Sequence, residues 1–182
     1  MKALVTEDFE RGALRYERLG IHHARELEHL MLDPRVWRTL QDPGEPPPTA
    51  PDVLRNTERK HAHWEIHGFG QWLLRDRSDG LAVGRGGLQY TQVTGAREVE
   101  IGWAVLPARW GRGFATEVAL TSIEVAFQSL GLSEVIAYTQ PDNLASRRVM
   151  DKAGMLCEGE LIHEDMPHVL YRLQAPDRRD RC

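Results

Sequence analysis

The chain has 182 residues, enough for one domain with its own hydrophobic core. A net charge of -4 is the wrong sign for a nucleic-acid surface, and two cysteines, Cys157 and Cys182, make no disulfide framework, so a reducing, cytoplasmic setting is expected. The N-terminus lacks the apolar stretch of a secretory signal, and no segment reaches the about 18 apolar residues of a membrane span.

Leu14 to Leu19 (LRYERL) alternates as a strand. His22 to Leu32 sets Ala24, Leu27, Leu30 and Met31 at helical spacing, and Asp33-Pro34 ends it. The low-complexity run DPGEPPPTAP, Asp42 to Pro51, reads as a surface loop between helices, because the 41 residues before it are few for an independent core. A second helix, Val53 to His67, stops at Gly68. The period then changes to two, and GQWLLRD, LAVGRGGLQY and REVEIGWAV form a three-strand antiparallel meander.

The next helix carries Ala115, Ala119, Ile123, Ala126, Phe127 and Leu130 on one face and is capped by Gly131. EVIAYT is a strand. Asn143 opens a helix with Ala145, Val149, Met150 and Ala153 that stops at Gly154, and MLCEGEL and HVLYRLQ are closing strands. There is no internal repeat. The order β-α-α-β-β-β-α-β-α-β-β implies an α/β fold, α+β by a stricter definition. It should be a single domain over residues 1–175 with a seven-stranded, mostly antiparallel mixed sheet and helices on both faces. The unit from Glu98 to Thr139 should be a right-handed parallel crossover, and residues 176–182 a solvated tail.

The junction VLPARWGRGFATEVA carries chemistry. A helix N-terminus leaves backbone N–H groups unpartnered and adds dipolar positive charge, and glycines let a ligand approach the backbone. Gly111, Arg112, Gly113, Phe114, Ala115 and Thr116 therefore read as an anion cradle, with Arg109 or Arg112 adding charge to a phosphate. The alternative is a tight strand-to-helix turn with nothing bound. A P-loop is excluded because Phe114-Ala115 stands where Lys-Ser/Thr is required. A dinucleotide fingerprint is excluded because Thr116 occupies its third glycine position.

With PDNLASRRVMDKAGM following later, the chain resembles the GNAT superfamily of acyl-CoA-dependent N-acyltransferases. Within it, the chain is most similar to the branch of RimJ/RimL-type ribosomal-protein N-terminal acetyltransferases. The superfamily's Gln/Arg-x-x-Gly-x-Gly/Ala loop reads here Trp110-Gly111-Arg112-Gly113-Phe114-Ala115, with Trp110 departing from Gln/Arg in the manner common in that branch. The resemblance implies acetyl-CoA as acyl donor, no metal, and a primary amine as acceptor, either a protein N-terminus or a small amine. It also implies a pyrophosphate seat at the junction and a pantetheine arm hydrogen-bonded to the backbone of Ala104 and Val105. The superfamily often dimerises, so a homodimer is compatible with it.

The amine must be neutral to attack, and an α-amine of pKa about 8 is only about a tenth deprotonated at pH 7. Glu100 aligns with an acid common in the branch and is the candidate base; the alternative is a carboxylate that is solvated or paired with Arg97 or another surface base across the meander. Many superfamily members place an acid tyrosine where this chain has Met150. Ser146, a serine the branch shares, is then the candidate donor to the leaving thiolate, or else an ordinary first-turn helix residue. Asn143 is an N-cap to which the resemblance adds a cofactor contact. Tyr138 is core, acyl-slot wall or catalytic phenol.

His61, His63 and His67 share a helix, but nothing completes a metal set, and cleft or surface histidines are the reading. Cys157 reads as a structural thiol in an apolar strand. Trp37, Trp64 and Trp72 line an acceptor wall or fill the core, while Glu158, Glu160, Glu164 and Asp165 favour a cationic acceptor or form a solvated acidic face. A non-catalytic acyl-CoA-binding module on the same fold is the alternative function, and a structural protein with an empty loop is a third.

Overall fold

Apolar alternation builds eight strands into one sheet. The computed structural model describes residues 8–40 and 44–176. Expectations for the first seven residues, for 41–43 and for 177–182, with Cys182, lie outside the described residues. The strands are β1 (Phe9–Arg11), β2 (Leu14–Arg18), β3 (Gln71–Asp76), β4 (Ala82–Thr91), β5 (Glu98–Val105), β6 (Glu134–Thr139), β7 (Leu156–His163) and β8 (Met166–Gln174). Their order is β1-β2-β3-β4-β5-β6-β8-β7, and among the described residues only the β5–β6 pair is parallel.

The sequence expectation of seven strands is corrected to eight. The addition is β1, three residues too short to display a period, joined to β2 across Gly12 at φ 52°. Phe9 stacks on Tyr16 with ring centroids 4.5 Å apart, which anchors the added strand. The closing hairpin is also longer than expected. Glu164 and Asp165 form its two-residue turn at φ 51° and 60°, left-handed positions where glycine or asparagine is the usual signal.

Helices α1 (Ala24–Met31), α2 (Pro34–Trp37), α3 (Ala50–His67), α4 (Phe114–Glu124) and α5 (Leu144–Lys152) connect the strands. Asp33 both ends α1 and starts α2, its Oδ1 accepting from the Arg35 N–H at 2.9 Å. α3 begins at Ala50, ahead of the expected Val53. Pro51 sits in a first turn that needs no N–H from it, and Asp52 accepts from the Thr49 N–H at 2.8 Å. α4 runs into a π turn over Val125–Ser129 before Gly131 at φ 67°.

The sheet buries a core on each face. Val99, Ile101 and Val105 of β5 pack with Phe114, Val118 and Ala119 of α4. On the other face Leu73 and Ala104 pack beneath Leu27 and Leu30 of α1, Val36 of α2 and Val53 of α3. Even-numbered β5 residues therefore look toward α1–α3 and odd-numbered ones toward α4. Trp64 and Trp72 belong to the core and not to an acceptor wall: the Trp64 Nε1–H donates to the Gln71 carbonyl at 2.6 Å, and Trp72 meets Tyr16 edge-on at 5.7 Å. Trp37 is half-buried on α2 with the Arg38 guanidinium 5.4 Å above its ring. Cys157, expected in a structural setting, is exposed, because β7 is the edge strand.

Of the helical histidines, His63 is fastened to the backbone. The His63 Nε2 accepts from the Tyr90 N–H at 3.0 Å, so its Nδ1–H donates to the Phe69 carbonyl at 2.9 Å, which fixes the neutral tautomer. Burial, ahead of every other cause, lowers the His63 pKa. His23 is lowered in the same way, its Nδ1 accepting from the Gly20 N–H at 3.1 Å. Because these folded values lie below the unfolded histidine value of about 6.5, the unfolded chain binds more protons as pH falls. The associated stability is complete above about pH 6.5 and is lost as pH falls through the folded values. Urea unfolding at pH 7.5 should give a larger free energy than at pH 5.5. His63→Ala should lower the pH 7.5 value by about 1–3 kcal/mol and flatten the pH dependence.

Candidate functional site

The site begins where the sheet forks. β5 and β6 pair at a single register point, Glu100 opposite Ile136, and beyond it the strands part toward Pro107 and Pro141. The opening is a cleft of about 1100 Å³ whose lining includes Glu100 to Val105, Trp110, Gly113 to Thr116, Tyr138 and Asn143 to Ser146.

The hydrogen-bond alternation of β5 decides which backbone groups face the gap. The Leu106 N–H donates to the Val83 carbonyl at 2.8 Å, so Val105, opposite Gly84, is the non-bonded position and turns its N–H and C=O toward β6. Trp103, two residues back, does the same. Ala104, opposite Arg85, is spent on β4, so of the two expected backbone contacts the geometry offers Val105, with Trp103 in place of Ala104. The Trp110 indole N–H already holds the Val105 carbonyl at 2.7 Å, although its ring is 53% exposed. Trp110 thereby ties the loop to the strand and leaves the Val105 N–H toward the gap.

Gly111 and Gly113 adopt φ of 75° and 85°, and a Cβ at either would meet nothing within 4 Å, so the loop is open on its outer side. Gly113 is the N-cap of α4, and the amides of Phe114, Ala115 and Thr116 form its unpartnered first turn. Glu117 does not oppose an anion there, because its carboxylate accepts from the N–H groups of Ala13 and Leu14 at 3.2 and 3.1 Å. The two arginines are already engaged. Arg109 reaches Asp76 at 3.0 Å and Asp79 at 2.6 Å, and Arg112 reaches Asp76 at 2.9 Å while lying 4.9 Å over the Phe114 ring. Hydrogen bonds from Ser78, helped by both arginines, hold the Asp76 carboxyl below its ordinary range. The cradle is thus amide and dipole first, with the arginines bracing it from below.

At the other lip, the Asn143 Oδ1 accepts from the Ser146 N–H at 3.2 Å, and its Nδ2 donates to the Thr139 hydroxyl at 3.0 Å. Asn143 caps α5 and fastens it to the end of β6. Ser146 lines the cleft, half-buried, and Met150 lies in the core beneath α5. The Tyr138 phenol is pushed up to about 12 by burial and then by Glu100. Its ring lies 5.5 Å from those of His163 and His168.

Glu100 is 9% exposed at the vertex of the fork. It does not pair with Arg97, which precedes β5 and whose guanidinium sits 3.8 Å over the Tyr90 ring. A one-way relay meets Glu100 instead. The Arg85 NH1 donates to Gln71 Oε1 at 2.6 Å, Gln71 Nε2 to Gln89 Oε1 at 3.2 Å, and Gln89 Nε2 to Glu100 Oε2 at 2.8 Å. Lys60 adds a donor to Gln89 Oε1 at 2.9 Å. The relay starts at a group that only donates and ends at a carboxylate oxygen, which orients both amides. It leaves Oε1 beside Gly102, where a Cβ would come within 3.3 Å. The sequence reading missed Gln71, Gln89, Lys60 and Arg85. Its one available signal was an arginine and a glutamine on the same side of an otherwise apolar, glycine-rich strand.

Residues 14–156 match the family described as the acetyltransferase (GNAT) domain. The chain belongs to that family. It is similar to the FsC-acetyl coenzyme A-N(2)-transacetylase of Aspergillus fumigatus, 32% identical over 143 residues, and the match covers 75% of this chain and 60% of that protein. The fold of this GNAT domain is similar to that of an acetyltransferase from Agrobacterium tumefaciens, with TM-score 0.78, 21% identity and coverage of 92% and 94% of the two chains. A ribosomal-protein-S5-alanine acetyltransferase from Vibrio fischeri superposes with TM-score 0.72 at 16% identity, covering 93% and 97%. At such identities the structural likeness concerns the fold alone.

The open left-handed glycine at the α4 cap gives the GNAT cradle a local test. Gly113→Ala adds a side chain in free space but at a φ that L-residues resist. It should lower the unfolding free energy by about 1–2 kcal/mol in urea titrations, with the fold retained by circular dichroism.

Proposed function

We propose that this GNAT domain transfers an acetyl group from acetyl-CoA to a primary amine by direct attack, as an N-acetyltransferase similar to the RimJ/RimL-type branch. The observation that carries the reading is the fork between β5 and β6, with an amide cradle at its outer end and a hydrogen-bonded carboxylate at its vertex. The residues present suit the donor. The amides of Gly113 to Thr116 would hold its pyrophosphate, and the Val105 N–H and the Trp103 backbone would hold its pantetheine as an added strand. Bound there, acetyl-CoA supplies an activated acyl group, and no metal is called on.

Glu100 Oε1 takes the proton from the incoming amine, directly or through one water, while Gln89 keeps Oε2 in place. The new C–N bond forms as the C–S bond breaks, giving an amide and coenzyme A. The Ser146 hydroxyl or solvent returns a proton to the thiolate, which leaves well enough that Ser146 contributes less than Glu100. The reading brings with it a cytoplasmic setting; among the described residues no helix is long and apolar enough to cross a membrane.

The test is thiol release from acetyl-CoA against a panel of N-terminal peptides and small amines. Glu100→Gln, which can still accept from Gln89, should lower kcat by about 10²–10⁴-fold with little change in the KM for acetyl-CoA, and Ser146→Ala should lower it less. An unchanged kcat in Glu100→Gln contradicts the assigned base. Thermal stabilisation by acetyl-CoA without release to any acceptor favours a non-catalytic acyl-CoA-binding module.

A further inference from the structure

Two basic side chains stand on the acceptor side of the fork. Arg85 is 8% exposed, and Lys60, half-buried on α3, reaches Gln89 of β4 at 2.9 Å. Both line the cleft with Glu100. Among the described residues neither makes an ion pair with a carboxylate, and their hydrogen bonds in the relay go to the side-chain oxygens of Gln71 and Gln89. Burial, with Arg85 adding to it, pushes the Lys60 ammonium well below its ordinary pKa, and burial brings the Arg85 guanidinium down to about 10. The one buried carboxylate that lines the cleft with them is Glu100, the acids Glu45, Asp142 and Glu164 of the same lining being exposed, so two basic groups stand beside one buried acid.

An uncompensated buried charge costs several kcal/mol and persists where something else neutralises it. Space for that something lies in the cleft, which Arg85, Lys60, Gly102 and Glu100 line together: Gly102 carries no side chain between Ala104, opposite Arg85, and Glu100. This face is covered by α3 and not by α4, so the charges lie away from the glycine cradle on the opposite side of the sheet from Phe114 and Val118. Of the exposed acidic residues of the β7–β8 hairpin Glu164 lines the cleft, while Glu158 is taken by Arg172 at 2.8 Å.

We propose that the amine acceptor carries an anionic oxygen group, a carboxylate or phosphate a few bonds from its nitrogen, and that Arg85 and Lys60 bind it while Glu100 faces the amine. The proposal rests on the transferase reading and narrows it to small amino acids or amino phosphates. Guanidinium is suited to the task because its fork matches two oxygens of such a group, and one arm of the Arg85 fork is spent on Gln71. Lys60 supplies a point charge from the facing helix.

The experiment uses matched acceptors that differ in the anionic group: L-phenylalanine with phenethylamine, L-lysine with cadaverine, and phosphoethanolamine with ethanolamine. Each is followed by thiol release from acetyl-CoA and, independently of turnover, by thermal stabilisation of the protein–coenzyme A complex. The anionic member of at least one pair should be preferred by about 10–100-fold in kcat/KM, the value of charge-assisted hydrogen bonds. That preference should collapse toward unity in both Arg85→Met and Lys60→Met, each checked for folding by circular dichroism. Should Arg85→Met fail to fold, Lys60→Met carries the test.

Equal use of both members, a preference that survives the substitutions, or no turnover and no stabilisation by any anionic probe overturns the proposal. Turnover of the amines that lack the anionic group alone overturns it while upholding the transferase. Stabilisation by the anionic probes that needs Arg85 and Lys60, without thiol release, upholds the anion site and contradicts the transferase.

Discussion

Everything functional in this chain depends on a pairing that β5 does not complete. β5 and β6 meet at Glu100 and Ile136 and then part, so a stretch of β5 keeps one edge of backbone groups free in the middle of an eight-stranded sheet. An unpaired interior edge is costly unless something adds to it. The surrounding structure bears on that edge from both sides. Trp110 claims the Val105 carbonyl, and Asn143 pins α5 to the opposite lip through Thr139. The glycine turn then sets the N-terminus of α4 at the mouth of the gap. Strand, turn and helix are consecutive in the chain, which fixes their relation with very few residues.

The two faces of β5 divide the work. Odd-numbered residues pack under α4; even-numbered ones, Glu100, Gly102 and Ala104, look toward α1–α3, the side proposed for the acceptor. The glutamine relay turns this division into chemistry. It runs from cations that can only donate to a carboxylate oxygen that can only accept when ionised, so the amides have a single orientation and the carboxylate is held still. A base that need not reorganise is a better base.

Local signals were legible in the sequence and long-range ones were not. The glycine pair after Pro107, the Asn143 cap and the alternation of the meander each act within a few residues, and each lies where the pattern set it. β1 was invisible because three residues carry no period, and the Glu164-Asp165 turn because its left-handed positions lack glycine. The engagement of Arg109 and Arg112 by Asp76 and Asp79 could not be read, since it joins a β3–β4 turn to a loop some thirty residues further on. Likewise Glu100 is legible, but its neighbour Arg97 is taken by the Tyr90 ring, a contact across the β4–β5 turn that the sequence does not display. Gln71, Gln89, Lys60 and Arg85 come from three elements, and only the register of β3, β4 and β5 brings them together.

Hydrogen–deuterium exchange with and without acetyl-CoA tests the central claim most directly, because it reads the backbone groups that the fork leaves unpaired. The account predicts slowed exchange confined to peptides covering Trp103 to Thr116 and Thr139 to Ser146. The outer edges of the sheet, β1 and β7, should remain unchanged. Protection elsewhere, or none at saturating acetyl-CoA, would contradict the assignment of the fork as the donor seat.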